Sequence, residues 1–301
     1  MNTLLFKINS YLDAASRGVA TMPPGLVEDF KEACGRALER QFNEKSQEYS
    51  MRMSGIGKPL CQQKLEQQGV QGTVDRTLVM RFLFGDLVEA AAIAIMKAAG
   101  VNVESEQEQC ELDIGGITLQ GTLDVEVDGK VWDVKSSSGY SFASKFGPEH
   151  GGFTKIEEED AFGYIPQGFL YAESRGKPFG GWIAVDKSTG EFGVVETPNN
   201  ATGKRATALK RVSDNIRDLR DNPGTVVKFE DTAEVKKTGK KPNVIETPTG
   251  NRLMPNLCTF CKFMRHCWPG AAFRPNATTK SNNPRPVWYT HYEMDHFGER
   301  V

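Results

Sequence analysis

Residues 121–135, Gly-Thr-Leu-Asp-Val-Glu-Val-Asp-Gly-Lys-Val-Trp-Asp-Val-Lys, constrain this chain more than any other stretch. β-branched and aromatic residues alternate on both sides of Asp128-Gly129, a dipeptide that favours the two-residue turn of a β-hairpin. Such a turn fixes the register and sets Asp124 directly across from Asp133. Successive side chains leave a strand on opposite faces. One face is therefore expected to carry Leu123, Val125, Trp132 and Val134, and the other Asp124, Glu126, Asp133 and Lys135. The first is a core face. The second sets two carboxylates side by side, and like charges directly opposite each other destabilise a sheet. A cation between them relieves the repulsion, and oxygen-only ligands select a hard ion, Mg2+ or Mn2+.

The rest of the chain gives the hairpin a setting. Its 301 residues, 39% hydrophobic and 25% charged, have an ordinary globular balance and suit one core domain with additions. The net charge of −2 excludes a global basic signature for nucleic acid. Local basic runs remain: Lys204, Arg205, Lys210 and Arg211, then Lys236-Lys237 and Lys240-Lys241. By themselves they read as a solvated helix face and a flexible loop. No apolar run approaches the roughly 18 residues of a membrane span, and the N-terminus lacks the pattern of a signal peptide. A cytoplasmic protein without a membrane partner is expected, and its six cysteines are then poor candidates for disulfides.

Helical spacing predicts helices within residues 1–50, over about 59–68, 76–99, 165–175 and 202–221. Strands are predicted over 101–113, 117–127, 130–136, 181–186 and 191–196. Residues 137–160 read as a mobile loop able to cap a substrate channel, 231–256 as loop-rich, and the last 34 as an extended tail. This order fits an α/β core with a mixed sheet. Three segments are expected: a helical region over 1–58, a core over 59–268 and a tail over 269–301.

Cys258-Thr-Phe-Cys261-Lys-Phe-Met-Arg-His-Cys267 places three cysteines within ten residues, a spacing suited to a metal or cluster. A closed site needs a fourth ligand; Cys61 opens a short helix far upstream, while Cys34 and Cys110 look like buried thiols. Zinc and an iron–sulfur cluster both accept four thiolates.

The run Asp124…Asp133-Val134-Lys135 resembles the catalytic signature of the PD-(D/E)XK nuclease superfamily. The cysteines resemble the 4Fe–4S nucleases of that superfamily, the RecB-like domain of AddB and the CRISPR adaptation exonucleases, in which one cysteine precedes the core and three follow it. Two more motifs stand in the family's order: Gly85-Asp-Leu-Val-Glu89 before the hairpin and Gln167-Gly-Phe-Leu-Tyr171 after it. Glu89 replaces the histidine of many bacterial members and resembles the λ-exonuclease type of site. The resemblance spans residues 61–267. It implies a restriction-endonuclease-like core stapled by a 4Fe–4S cluster on Cys61, Cys258, Cys261 and Cys267, with zinc as the alternative occupant. It implies Mg2+ or Mn2+ on Glu89, Asp124, Asp133 and the carbonyl of Val134. Lys135 would act on the attacking water, and Gln167 and Tyr171 would position the strand. The expected activity is a metal-dependent exonuclease acting on DNA ends, preferring single or frayed strands, with phosphate contacts from Lys204, Arg205, Lys210 and Arg211. A structure- or sequence-dependent endonuclease and a catalytically idle DNA-binding scaffold are the alternatives.

Overall fold

The computed structural model describes residues 2–43, 49–73, 76–158, 160–240, 242–279 and 281–293. The chain forms two compact units, Met1–Gln63 with Asp75–Pro223, and Lys64–Val74 with Gly224–Val301. This division differs from the expected one. The first 58 residues are no separate region, because Leu4 and Ile8 share a core with Ala92, Ile93 and Met96.

The elements run α1 (Thr3–Ser16), α2 (Leu26–Phe42), α3 (Met53–Ile56), α4 (Leu60–Gln67) and α5 (Arg76–Ala98), then β1 (Val103–Glu106), β2 (Gln109–Ile114), β3 (Ile117–Thr122), β4 (Val125–Val127) and β5 (Lys130–Ser137). After them come α6 (Gly139–Ser141), a π-helical turn over Phe142–Phe146, α7 (Phe153–Glu158), α8 (Tyr164–Arg175), β6 (Phe179–Asp186), β7 (Phe192–Glu196) and α9 (Thr202–Asp221). The first unit is thus mixed α/β. Its central sheet has the order β1-β4-β5-β6-β7, with β5 and β6 parallel and the other pairs antiparallel.

The hairpin takes the register that Asp128-Gly129 sets, with Val127 opposite Lys130 and Val125 opposite Trp132. Both turn residues have positive φ, 48° and 73°, as the favoured hairpin turn requires. Both sheet faces are buried. Val125, Val127, Trp132 and Val134 pack with α1 and α5, and Val131, Trp182 and Ala184 pack with α8 and α9. Leu123 corrects the expected facial pattern. It joins the second core because regular pairing stops at Val125 and the chain turns away through Asp124.

Other departures have similar causes. The predicted strands over 101–113 and 117–127 each split in two, at Gln107, which adopts a positive φ of 52°, and at Asp124. The pieces β2 and β3 leave the main sheet and pair with each other. Residues 137–158 are not a capping loop, since Phe142, Phe146, Phe153 and Ile156 are buried core residues. Tyr140, at the start of this stretch, is largely exposed.

The second unit contains β8 (Thr232–Thr238), β9 (Ile245–Leu253), α10 (Asn256–Thr259), α11 (Met264–Cys267), β10 (Ala272–Pro275) and β11 (Pro286–His291). The four strands form one sheet of order β10-β11-β9-β8, where a loop-rich stretch and an extended tail were expected. Pro248 pairs with Val235 of β8, while β11 meets β9 only at Leu253 and Arg252. The missing N–H of proline therefore falls where the sheet is two strands wide. Glu234 is buried in this sheet and accepts hydrogen bonds from Tyr289, Thr249 and Asn251, each at 2.8 Å. Lys241 and the tail from residue 294 lie outside the described residues.

Candidate active site

Three elements of the first unit bring carboxylates together at one end of the hairpin. α5 packs on β5 and carries Glu89. Its sequence is apolar around most of its circumference, which suits a helix covered on several sides, so Glu89 sits half-buried between apolar neighbours. Asp124 precedes β4 level with Asp133 on β5. The backbone N–H of Val134 donates to Asp124 Oδ2 at 2.7 Å and orients that carboxylate. Asp133 is buried, and Lys135 Nζ donates to its Oδ1 at 2.7 Å. The other oxygen, Asp133 Oδ2, is buried without a hydrogen-bond partner among the described residues.

Charge is unbalanced here. Burial raises the Glu89 carboxyl to about 7, with Asp86 and Asp133 adding to the rise against the pull of Lys135 and Arg40. Burial likewise holds Asp124 well above the usual carboxylate range, and repulsion from Glu89 and Asp133 adds to it. Burial alone would lower Lys135, but Asp133 and Asp124 outweigh it and hold its ammonium above the ordinary lysine range. Three carboxylates thus share one lysine. Lys135 on one oxygen of Asp133 and the mutual repulsion of the acids oppose closer approach. Among the described residues no three His, Cys, Asp or Glu side chains form a ready-made metal cage. The donor set, all oxygen with one orphaned buried atom, nevertheless fits a hard divalent cation.

α8 lies against β5 and β2 and contributes the opposite wall. Its first turn is capped by Asp160, which accepts from the N–H groups of Tyr164 and Ile165 at 2.6 and 3.0 Å. Gln167 Nε2 donates to Tyr171 Oη at 3.4 Å. The Tyr171 hydroxyl is raised by burial and by the nearby Asp124. Its ring fits because position 121 is glycine. A Cβ there would stand 2.5 Å from Tyr171 Cε1.

Two residues of the site carried no sequence signal that was used. Lys135 Nζ lies 5.1 Å from the centre of the Tyr164 ring. Tyr164 could have been found, because 164, 167 and 171 share one helical face. Gln107 had no such pattern. Its N–H donates to the Asp124 carbonyl at 3.0 Å and its side chain donates to Glu89 Oε1. Arg40 Nη2 donates to Gln107 Oε1 at 2.9 Å and reaches Asp86 at 3.5 Å. A cleft between α2 and α5, lined by Arg36, Arg40, Asp86, Glu89 and Gln107, opens beside this relay.

The basic residues expected to hold phosphates sit on α9 and have acidic neighbours. Lys204 pairs with Glu157, Arg205 with Glu173 and Lys210 with Asp214 at 2.6 Å. Arg211 acts on the half-buried Asp160.

Cys61 belongs to the first unit and the trio to the second. Within the second, Cys258 packs with Met254 and Ala271 beside Trp268. Burial raises its thiol, with Cys267 adding to the rise, and burial raises Cys267 as well. The backbone N–H of Phe263 donates to Cys261 Sγ at 3.4 Å. Cys110 is buried as expected, whereas Cys34 is only half-buried.

No family model matches this chain, and no curated protein matches it. Among solved structures it is similar to the crystal structure of SSO0001 at a TM-score of 0.38 and 14% identity, over 65% of this chain and 88% of that one. Likeness at that level transfers neither fold nor function. No described helix is long and apolar enough to cross a membrane.

Proposed function

We propose that this chain is a metal-dependent nuclease of the PD-(D/E)XK type that hydrolyses DNA from its ends. The observation that carries the reading is the Oδ2 of Asp133, buried without a partner among the described residues, beside two further carboxylates, Glu89 and Asp124, whose pKa values burial and mutual repulsion raise. A buried carboxylate oxygen without a donor is costly. Structural carboxylates are normally compensated, so a deficit of positive charge at this end of the hairpin argues for a cationic ligand.

Glu89, Asp124 and Asp133 would hold Mg2+ or Mn2+, with the Val134 carbonyl as a further oxygen. A divalent ion bound there supplies Lewis acidity toward the phosphate and lowers the pKa of water. The chain's own groups divide the remaining tasks. Lys135, bonded to Asp133 Oδ1, would offset phosphate charge and orient or help deprotonate the attacking water. Val134 N–H fixes the rotamer of Asp124. Tyr171 and Gln167 offer hydroxyl and amide groups that position the DNA strand.

Cys61, Cys258, Cys261 and Cys267 would hold a 4Fe–4S cluster, with zinc as the alternative. Protein purified anaerobically is then brown, and Cys61→Ser bleaches it as fully as Cys261→Ser does, while Cys34→Ser does not. Stoichiometric zinc without iron would exchange one occupant for the other.

The decisive experiment is a time course with Mg2+ or Mn2+ on end-labelled linear DNA and on covalently closed circular DNA. Progressive shortening of the linear substrate alone supports the reading. Equal cleavage of both makes the enzyme an endonuclease, and wild-type rates in Lys135→Ala remove this site from the chemistry.

A further inference from the structure

The second unit carries a charge pattern that the first lacks. Over Lys64–Val74 and Gly224–Val301 it has 13 Lys and Arg against 8 Asp and Glu, net +5, while the remainder has 24 against 31, net −7. The excess is concentrated. Residues 247–292 contain no Asp or Glu at all but include Arg252, Lys262, Arg265, Arg274, Lys280 and Arg285. At the acidic content of the whole chain, 39 in 301, a stretch of that length would carry about six. A one-signed field over so long a stretch attracts a polyanion.

The same stretch builds an aromatic surface. Phe273 on β10 stands opposite Trp288 on β11, so both project from one face. Their ring centres lie 5.0 Å apart at an interplanar angle of 34°. The Arg265 guanidinium sits 4.9 Å from the centre of the Trp288 ring and donates to the Ala271 carbonyl at 2.7 Å, which holds it in place. The opposite face of β11 turns inward, where Tyr289 is fully buried and anchored on Glu234. The hairpin is therefore fixed from behind, while Phe273 keeps 52% of its surface exposed. This is an outward ring backed by a second ring and a cation, on a strand with no acidic residue nearby in sequence. Two cations of the stretch are already paired, Arg252 with Asp231 and Lys262 with Glu66, as Lys204, Arg205 and Lys210 of α9 are with their carboxylates, whereas Arg265 lies against the Trp288 ring.

We infer that the β10–β11 face is a stacking platform for a single nucleic-acid strand, with a base on Phe273 and the strand's phosphates drawn by Arg265 beside the Trp288 ring and, from the other side of strand β10, by the field of Arg274. Stacking on an aromatic ring inside a basic surface is the general means of holding unpaired bases without reading sequence. The inference takes its ligand class from the nuclease reading, but the binding surface does not depend on the chemistry of the carboxylate site.

The test measures binding of full-length protein to a fluorescent oligo(dT) of about twenty nucleotides, long enough for one extended site, with EDTA present so that cleavage is absent. Phe273→Ala is expected to weaken binding by about 5- to 100-fold, and Phe273→Tyr to restore most of it. Arg274→Glu, which leaves the ring in place, is expected to weaken binding and to flatten its dependence on salt. Blunt duplex, whose bases are already stacked, is expected to compete poorly. No binding by the wild type, or equal affinity of wild type, Phe273→Ala and Arg274→Glu, overturns the platform, as does preference for blunt duplex. Phe273-dependent binding without hydrolysis in any metal leaves the platform standing and removes the nuclease reading. Hydrolysis with an unchanged KM in Phe273→Ala does the reverse.

Discussion

One face of the β4–β5 hairpin carries two clusters of acids that solve the same problem differently. At the turn end, Glu126 is almost fully buried but meets Arg175 Nε and Lys177 Nζ, each at 2.6 Å, and those cations also reach Glu108 and Glu104 at the rim. Burial would raise Glu126, but Lys177 and Arg175 hold it below the usual range. At the other end, among the described residues, Asp124, Asp133 and Glu89 have one bonded cation, Lys135 on Asp133, with Arg40 acting on Glu89 through its charge, and two of the three carboxyls are driven up. α8 spans both, with Gln167 and Tyr171 by the second cluster and Arg175 in its last turn, where a cation also suits the helix dipole. Burial of acids is thus no sign of function in itself. The uncompensated end is the informative one, because a fold that can neutralise one buried carboxylate with two cations leaves another without a donor on Oδ2.

The strongest way to break this comparison is to exchange the roles of the two ends. Asp133→Asn and Asp124→Asn are expected to slow DNA hydrolysis by about a thousandfold or more, since electrostatic positioning at the phosphate supplies most of this chemistry. Glu126→Gln should leave the rate near wild type. Metal-free thermal stability should move in the opposite sense, with the aspartate variants unchanged or raised as repulsion is relieved. A slow Glu126→Gln beside a fast Asp133→Asn would erase the distinction.

A second measurement uses pH. Glu89 has a folded value near 7, above its ordinary value of 4.5, so the native state binds the extra proton between those values and metal-free stability falls as pH rises through that window. The contribution is at most about 3 kcal/mol and should vanish in Glu89→Gln. Glu126 has the reverse sign. Its stabilisation is present above the ordinary carboxylate value and is lost as pH falls through the depressed folded one. Urea titrations of wild type and both glutamine variants across this range separate the two slopes.

Glu126→Ala should then cost about 1–3 kcal/mol in the same titrations at neutral pH, because its two cations are partly exposed and can regain water. The smallest expected effect belongs to Gln107. Gln107→Ala frees Glu89 and is expected to weaken Mn2+ binding about tenfold by calorimetry, the usual loss when a group that orients a metal ligand is removed. An unchanged affinity would make the Gln107–Glu89 bond incidental.

What the sequence disclosed about this site depended on strong local codes. Asp128-Gly129 sufficed to place Asp124 beside Asp133, and a spacing of four sufficed to put Gln167 and Tyr171 on one wall. Positions fixed by tertiary packing were not legible. Gln107 is found only because the chain bends through a positive φ there. Phe142, Phe146, Phe153 and Ile156 were hidden among Gly, Ser and charged residues that suggested a loop, although each fills the core. The polar strands β8 and β9 show little periodicity because few of their side chains are buried. Charge balance belongs to this second class too. The carboxylates were named from sequence, but the partners that neutralise Glu126 are Arg175 at the end of α8 and Lys177 two residues beyond it, remote in sequence.

The discontinuous make-up of the second unit bears on the order in which the molecule can be completed. Thr73 donates its N–H to the Lys262 carbonyl at 2.8 Å, and Glu66 pairs with Lys262 Nζ at 3.0 Å. During synthesis the 64–74 segment emerges early and waits for partners that are made only after all of the first unit has been translated. The carboxylate-bearing domain can therefore collapse on the ribosome while that segment is still unsatisfied, and domains generally do fold as units in order of appearance. A release of the chain shortly after Pro223 would leave a complete hairpin, α5 and α8 beside an orphaned stretch of eleven residues. Such a truncated chain is a natural test of whether the half that bears the acids is autonomous, with proteolysis inside 64–74 as its earliest visible weakness.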